Sequence, residues 1–447
     1  MSVRHPSIAV IPVLSLLGLA ACATYTERTT KPLRDFQSGQ FAAAREAYAD
    51  PETTGSVFLA GAEAGTVALT AGDWSLALEH YHHAAAEVEE LEGRALAGPE
   101  RFGEALASWA INDSARAYQG EGFERVYLHC GLALAYLALG KVDDVYVEAR
   151  RANQLLEAEE TLYETKYEAG GFGHLVSAVT YELIGDKDDA LIDYQRMAEK
   201  GVGTALAGRA LVRLAGELGR DDLLPALEEQ HGPDVARPTG AASVVVLAGV
   251  GLGPYKVESR LTLPLPDGVF QMAVPGYVER AQAVTALSLV DVASGESVRT
   301  DVVENVTRIA HENLEDRLGW MAAKSIARGV LKRELTKQLE DEYDLAGRIA
   351  GDLFSILTER ADTRAWLTLP DSWQACRLFV PPGVRSFTLD AVGGESVALG
   401  TFELEPGETL VVIARSLGTS LHAHAIGGKP VDPNAAAPAA AQPSTTP

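Results

Sequence analysis

Residues 118–129, YQGEGFERVYLH, bring together side chains that acid–base chemistry or a charged interface could use. On a helix through this segment, Arg125 and His129 are four residues apart and share a face. Glu121 is within reach of Arg125, and the positive end of the helix dipole favours Glu121 and Glu124 at its start. Catalysis would also require a nucleophile or a metal near the histidine, and the sequence provides neither.

This segment therefore leaves three interpretations open: a structural charge network, a docking rim for a partner protein, or catalysis. Further members come from VEARR, on the helix expected to pack against the first one. The full candidate set for docking or for a structural network is Tyr118, Glu121, Phe123, Glu124, Arg125, His129, Glu148, Arg150 and Arg151.

Other motifs fail the requirements of the chemistry they suggest. The glycines of GVGLG (249–253) are followed by Pro254, where a dinucleotide-binding fold would begin a helix. HENLE (311–315) lacks the second histidine of a zinc protease. Two histidine pairs have metal-like spacing but no third ligand nearby: His80 with His83, and His422 with His424. We therefore predict no catalytic residue, no metal and no cofactor.

A basic stripe interrupts an otherwise acidic chain, whose formal net charge is −24. Such a charge disfavours binding to nucleic acid. The stripe lies in KSIARGVLKRELTK and consists of Lys324, Arg328, Lys332 and Arg333. These residues are about three or four positions apart, so on a helix they would share a face and could form a basic contact. It could match the acidic helices of the same chain, or it could contact anionic lipid or a partner.

The helices expected to carry the residues of segment 118–129 belong to a pattern that repeats along the first half of the chain. The repeated unit has a turn glycine, small residues and an aromatic residue, as in GQFAAAREAY, GDWSLALEHYHHAA, GKVDDVYVEARRA, GDKDDALIDY and GRDDLL. Small residues let two helices approach closely, and glycine permits the tight turn between them. This pattern resembles the tetratricopeptide repeat. It predicts an all-α solenoid over residues 33–236, with one expanded unit near 86–125.

In such a solenoid the first helix of each hairpin lines the concave face. The repeat register assigns these mostly apolar positions to a candidate groove: Leu69, Tyr127, Leu134, Leu137, Phe172, Leu175 and Val179. An open apolar groove would be a large exposed patch, so something is expected to cover it. Two covers are possible: the protein's own second domain or expanded repeat, and an apolar segment of a partner.

The second half has the composition of an α+β domain over residues 241–425. Val- and Leu-rich stretches of strand length, separated by Gly, Pro and Asp, predict an antiparallel sheet. A helical insertion is expected at 303–362, and a disordered Pro/Ala tail at 426–447. Of the cysteines in this exported part, Cys130 and Cys376 could form a bridge or remain two buried thiols.

The N-terminus has the features of an export signal. Residues 1–21 contain an apolar run too short for a permanent membrane helix, so they predict a signal peptide. The ending LAAC resembles the lipobox of bacterial lipoproteins, which implies cleavage before Cys22 and lipidation of that cysteine. Ala23 implies sorting to the outer membrane in Gram-negative bacteria, and residues 22–32 would be a tether.

Two longer stretches carry a resemblance to a family. YQGEGFERVYLH with ALAYLALGKVDDVYVEARRA, and ADTRAWLTLP (361–370), resemble an uncharacterised family of tetratricopeptide-type lipoproteins of Gram-negative bacteria. The resemblance implies a periplasmic protein anchored to the outer membrane, and it assigns no catalytic residue. We therefore expect a non-enzymatic scaffold that docks envelope proteins through its helical repeats. The alternative is an envelope enzyme or small-ligand-binding protein with a pocket between the two domains.

Overall fold

The computed structural model describes residues 25–110, 118–265, 268–320 and 361–431. Its first half is helical, and its second half is built mainly of strands. The helices are α1 (Tyr25–Gln37), α2 (Phe41–Tyr48), α3 (Pro51–Thr54), α4 (Val57–Ala71), α5 (Trp74–Leu96), α6 (Pro99–Ala110), α7 (Gly122–Ala138), α8 (Val142–Tyr163), α9 (Gly171–Ile184), α10 (Lys187–Glu199), α11 (Thr204–Glu217) and α12 (Leu224–His231). A further helix covers residues 306–320.

Five helical pairs are connected by the glycines that the sequence singles out for turns. Each glycine follows the first helix of a pair and has a left-handed φ, such as 82° at Gly72 and 84° at Gly185. A residue with a Cβ rarely adopts this conformation, whereas glycine does so readily. The pairs are α1 with α2, α4 with α5, α7 with α8, α9 with α10, and α11 with α12.

The small residues of the repeat permit the close approach of paired helices. A Cβ placed on Gly65 of α4 would lie 2.4 Å from the ring of Tyr81 on α5, so only glycine fits there. Tyr81 and its counterparts Tyr48 and Tyr194 are almost completely buried. Within residues 86–110, where the sequence predicts an expanded unit, the structure has the end of the long helix α5 followed by α6.

Helix α1 begins earlier than the sequence analysis suggests. Residues 25–32 were expected to belong to a tether, yet they form most of α1. Tyr25 is buried, and its hydroxyl donates a hydrogen bond to the carbonyl of Ala365 from the second half of the chain. This contact explains why the chain is already packed at this point.

The strands form two five-stranded sheets and one two-stranded ribbon. The first sheet has the order β11-β10-β1-β7-β6, the second has the order β12-β9-β8-β4-β5, and β2 pairs with β3. The strands are β1 (Ala242–Val250), β2 (Tyr255–Leu265), β3 (Gly268–Val278), β4 (Leu287–Asp291), β5 (Ser297–Arg299), β6 (Asp301–Asn305), β7 (Ser372–Val380), β8 (Gly383–Ala391), β9 (Ser396–Leu404), β10 (Thr409–Leu417), β11 (Ser420–Ile426) and β12 (Lys429–Pro430).

Strand β1 is buried along its whole length because both of its faces are covered. Val244 and Val246 belong to the core between the two sheets, whereas Val245 and Leu247 belong to the core shared with the helices. Successive side chains of a strand point to opposite faces, so a sheet buried on both sides reads as a continuous apolar run. The first sheet is therefore the middle layer between the helices and the second sheet.

The coarse fold prediction is confirmed: helices come first, and a region of helix and mostly antiparallel sheet follows. Four details differ. The strands form two facing sheets rather than one, and β1 pairs with β10 in parallel. Strand β6 occupies the start of the segment expected to be a helical insertion. The chain also stays in the fold past residue 426, because Gly427 and Gly428 turn it so that β12 pairs with β9.

Candidate functional site

Two regions between the helical half and the sheets are candidate sites. The first is built around residues 365–369, which we call the strap; the buried polar contacts that surround it are called the strap network. The backbone N–H groups of Leu367 and Thr368 donate to the carboxylate of Glu63, at 2.6 and 3.0 Å. Glu63 lies in the middle of α4 and is completely buried. Burial raises its pKa to about 7, and the hydrogen bonds only partly oppose this effect.

Glu124 holds the strap from the next hairpin. It accepts hydrogen bonds from the backbone N–H of Trp366, at 2.7 Å, and from the Tyr118 hydroxyl, at 2.6 Å. It also accepts from the backbone N–H of Glu121, which completes a capping box at the start of α7. A local capping motif thus doubles as a contact between the two halves of the chain.

Glu121 is paired with two cations from the second half. The ammonium of Lys256 donates to one carboxylate oxygen, and Arg317 Nη1 donates to the other at 2.5 Å. The Lys256 ammonium also lies between the rings of Tyr118 and Tyr277, 5.3 and 5.5 Å from their centroids. Burial alone would raise the pKa of Glu121, but Arg317 and Lys256 lower it well below the usual range.

Arg125 does not pair with Glu121, contrary to the expectation from their spacing. Its guanidinium donates to Glu159 Oε1 at 2.6 Å and to the carbonyl of Gly120 at 2.7 Å. Arg125 and Glu159 are both almost completely buried. The pair therefore links α7 to the end of α8, because Glu121 is already neutralised by cations from the second half.

His129 lies between two carboxylates. Its Nδ1 is 2.5 Å from Glu148 Oε2, its Nε2 is 3.1 Å from Glu92 Oε1, and Arg151 donates to Glu92 at 3.1 Å. Burial would lower the pKa of His129, but the hydrogen bonds to Glu148 and Glu92 outweigh it and raise the pKa to about 9. The imidazole is therefore positively charged at neutral pH and binds three helices together.

The remaining members of the candidate set divide between core and surface. Phe123 is buried, with its ring 6.2 Å from that of Tyr127 and 6.1 Å from that of Tyr277. Arg150 is exposed and makes none of the contacts of the network. Eight of the nine predicted residues are thus brought together, although by pairings that their spacing did not predict.

The predicted groove is covered by the protein's own sheet. Phe172 stacks on Trp373 of β7 with a centroid distance of 4.1 Å, and the Tyr127 hydroxyl donates to Glu304 of β6. Leu69 and Leu134 face Trp373 across a cavity of only about 20 Å³. All seven groove residues are buried within the chain itself, and Leu175 and Val179 also line the cavity described next.

The second region that joins the two halves is an open cavity of about 670 Å³, which we call the interdomain cavity. One wall comes from α9, α10 and α11, and the opposite wall from β1, β5 and β7. The connector 231–238 closes one side. Its size falls within the range of small-molecule binding sites.

Four arginines line this cavity. Arg377 donates two hydrogen bonds to Glu182, at 2.6 and 2.8 Å, and Arg213 donates one at 2.7 Å. Burial would raise the pKa of Glu182, but these two arginines lower it to about 2. The other two, Arg209 and Arg237, are more accessible to solvent.

The predicted histidine pairs take structural or surface positions. His424 Nε2 lies 3.0 Å from the carbonyl of Thr70, and the His422 ring packs edge-on against Phe41. His83 is exposed and His80 is partly buried. Cys130 and Cys376 are free and buried. Within the described ranges, no group of three or more His, Cys, Asp or Glu side chains is arranged to hold a metal.

Two sets of predicted residues lie outside the described part of the chain. They are the lipidation site Cys22 with its signal peptide, and the basic stripe of Lys324, Arg328, Lys332 and Arg333. Among the helices that the structure describes, none is both long enough and apolar enough to cross a membrane.

Sequence reasoning missed several residues that complete the network: Glu63, Glu92, Glu159, Lys256, Glu304 and Arg317. Glu63 did leave a signal, because a lone carboxylate in the apolar helix FLAGAEAGTVALT must find buried partners. Lys256 left none, since 135 residues separate it from Glu121.

Comparison with known proteins does not identify the chain. No known protein-family profile matches it, and no curated protein sequence does either. Its function must therefore be argued from the geometry of the two regions.

Proposed function

We propose that this protein is a non-enzymatic, lipid-anchored binding protein on the periplasmic face of the outer membrane, with its ligand site in the interdomain cavity. The five helical pairs support a tetratricopeptide-like solenoid as the frame. The observation that carries the proposal is the cavity of about 670 Å³ between α9–α11 and the sheet. The rest of the concave face is filled by the protein's own side chains, whereas this part is open.

The strap network supports the same proposal because it holds the two walls in place. A ligand site needs walls that keep their geometry. Glu63, Glu124 and Glu304 accept buried hydrogen bonds from backbone N–H groups of the other half of the chain, and these bonds fix the two halves against each other. The charged groups of this network are engaged with one another, so we assign them to architecture rather than to catalysis.

Thermal unfolding of the purified protein tests the binding function. Compounds from the envelope should raise the melting temperature in a concentration-dependent way if they bind the folded state. Ala210→Phe and Val298→Trp would fill the cavity from opposite walls and should abolish the shift, each measured against its own unliganded melting curve. A shift that survives both substitutions would place binding elsewhere and contradict the proposal.

The anchor is tested separately. A Cys22→Ser variant should leave the membrane fraction and appear soluble or unprocessed, because the lipidated residue has been removed. Outer-membrane fractionation that recovers the variant as efficiently as the unmodified protein would contradict lipid anchoring at Cys22.

A second candidate function, docking of an envelope protein as a scaffold, is favoured by a depression of about 960 Å³ on the outer face of α8–α10. Its lining is largely polar, and it contains the stacked rings of Tyr146 and Tyr181, 4.2 Å apart. Arg150, from the predicted docking set, also lies there. Aromatic residues and arginine are enriched in protein interfaces.

Crosslinking in cells followed by mass spectrometry tests the scaffold function. If the depression docks a partner, Arg150→Glu should remove a crosslinked protein that Arg220→Glu, an exposed control, retains. Identical crosslinking patterns for both variants would contradict docking at this depression.

A further inference from the structure

One wall of the interdomain cavity is aliphatic. Leu175 and Val179 of α9, Leu206 and Ala210 of α11, and Val245 of β1 all line it. Across the described residues, no side chain that lines this cavity has a buried nitrogen or oxygen atom without a hydrogen-bond partner. This wall therefore favours a ligand with an apolar surface and has no unpaired buried polar group that could bind a polar one.

The lining of the cavity is rich in arginine. It includes four arginines and two carboxylates, Asp234 and Glu296, and each arginine is also paired with a carboxylate: Glu182, Glu217, Asp234 or Asp301. Three of the guanidinium groups surround the ring of Phe379, at 5.6, 5.1 and 5.9 Å from its centroid. A negatively charged head group is favoured where guanidinium donors stay accessible beside these pairs.

The four arginines differ in how far their donors are already used. Arg213 and Arg377 are almost buried and are held by Glu182. The side chain of Arg209 is 52% exposed, and its one described hydrogen bond goes to Asp301 at 2.8 Å. Arg237 is 22% exposed; it donates a hydrogen bond to Asp234 at 3.2 Å, and its Nη2 also lies 3.3 Å from Glu217 Oε1.

A guanidinium group has five N–H donors, so Arg209, which contacts one carboxylate, keeps several for an incoming anion, and Arg237, which contacts two, keeps fewer. Arg209 is also one helical turn from Arg213, whose guanidinium lies over the same Phe379 ring as that of Arg237. The accessible donors and the aliphatic wall therefore belong to one cavity.

We propose that the interdomain cavity binds a single-chain amphiphilic anion, with its alkyl chain along the aliphatic wall and its carboxylate or phosphate at Arg209 and Arg237. This assignment rests on the binding function proposed above and names the ligand class. An alkyl chain has no polar groups to leave unpaired against this wall. A peptide backbone in the same position would lose the hydrogen bonds of its N–H and C=O groups to water.

The test uses dodecanoate below its micellar concentration, with isothermal titration calorimetry on the purified full chain. Two probes separate the two halves of the ligand: acetate has the head group alone, and dodecyltrimethylammonium has the same chain with the opposite charge. Dodecanoate should bind with saturation, and both control probes should bind at least tenfold more weakly. Equal binding of the cationic probe, or equal binding of acetate, would overturn the assignment.

The double variant Arg209→Gln/Arg237→Gln should weaken dodecanoate binding by about tenfold or more, since it removes two charge-assisted contacts. Arg220→Gln is the matched control, because Arg220 is also a partly exposed arginine paired with an aspartate, but it does not line the cavity. An affinity that the double variant leaves unchanged would overturn the role of these arginines.

The failure of this proposal can be told apart from the failure of the binding function. If dodecanoate does not bind, but another compound shifts the melting temperature in a way that Ala210→Phe abolishes, the cavity binds a different class and only the amphiphile is wrong. If dodecanoate binds equally well to the Ala210→Phe and Val298→Trp variants, the amphiphile occupies another surface, and both proposals fail.

Discussion

The strap network and the interdomain cavity join the same two halves of the chain but use charge in opposite ways. In the strap network, Glu63, Glu121 and Glu124 are at most 3% exposed, and each is matched by a donor from the second half. In the cavity, Arg209 and Arg237 are within reach of water and keep unused donors. Charges that are buried and paired hold the architecture, whereas those left accessible beside an apolar wall can serve a ligand.

Burial also determines how much a substitution at each charged group costs in stability. Desolvation offsets much of the attraction within a buried ion pair, so such a pair adds little net stability over apolar residues of the same shape. Removal of one partner is nevertheless costly, because the other charge stays buried without compensation. At an exposed pair, water takes over the lost contact, and the loss is small. Single substitutions therefore distinguish the two regions.

The largest effect is expected for Lys256→Met. Among the described residues, this change leaves the buried carboxylate of Glu121 with Arg317 as its remaining ion-pair partner. It should lower the free energy of unfolding by about 3–5 kcal/mol, measured by urea denaturation at neutral pH. The matched control is Lys31→Met in the pair Lys31–Asp35, where the lysine side chain is 76% exposed, and it should cost about 1 kcal/mol or less. Equal losses in the free energy of unfolding for the two variants would contradict the distinction between buried and exposed ion pairs.

The next largest effect is expected from His129, which should make the stability of the protein depend on pH. The pKa of His129 is raised from 6.5 to about 9 in the folded state, so the folded protein binds more protons than the unfolded chain between these values. Its contribution is complete below pH 6.5 and is lost as the pH rises through 9, with a total of about 3 kcal/mol. His129→Gln should remove this slope, as measured by urea denaturation from pH 6 to 10. A variant that keeps the full slope would show that another group titrates.

Arg125→Ala should cost less, about 1–3 kcal/mol in the free energy of unfolding. Burial raises the pKa of Glu159 when Arg125 is present, so its carboxyl group can take up a proton once the cation is gone, which limits the loss. Arg150→Ala, on the exposed face of α8, is the matched control and should change stability by less than about 0.5 kcal/mol. A loss as small for Arg125 as for Arg150 would show that the Arg125–Glu159 pair does not stabilise the packing of α7 against α8.

The helical half was predictable because its signals are local. The turn glycines at 39, 72, 140, 185 and 219 and the buried tyrosines repeat at spacings that a single hairpin explains. The sandwich was less predictable, since the apolar run of β1 shows burial on both faces but not which strands lie beside it. The parallel pairing of β1 with β10 joins residues more than 160 apart and leaves no local pattern.

The site was predictable only in part, for a related reason. Helical spacing placed Glu121, Arg125 and His129 correctly on one hairpin but assigned Glu121 to the nearest cation in sequence. Its actual partners, Lys256 and Arg317, come from the other half of the chain. The arginines of the cavity come from α11, the connector and β7, and nothing in their spacing brings them together.

The smallest effect on stability is expected for an accessible arginine of the cavity itself. Arg209→Gln removes a charge whose side chain is half-exposed and whose partner Asp301 is also accessible, so the free energy of unfolding should fall by less than about 1 kcal/mol. Arg213→Gln, one turn along the same helix, should cost more because it takes a buried donor from Glu182. Urea denaturation of the two variants side by side measures the difference. If Arg209→Gln cost as much as Arg213→Gln, the accessible arginines would be part of the framework that holds the two halves together, and the distinction between architectural and ligand-facing charge would fail at this cavity.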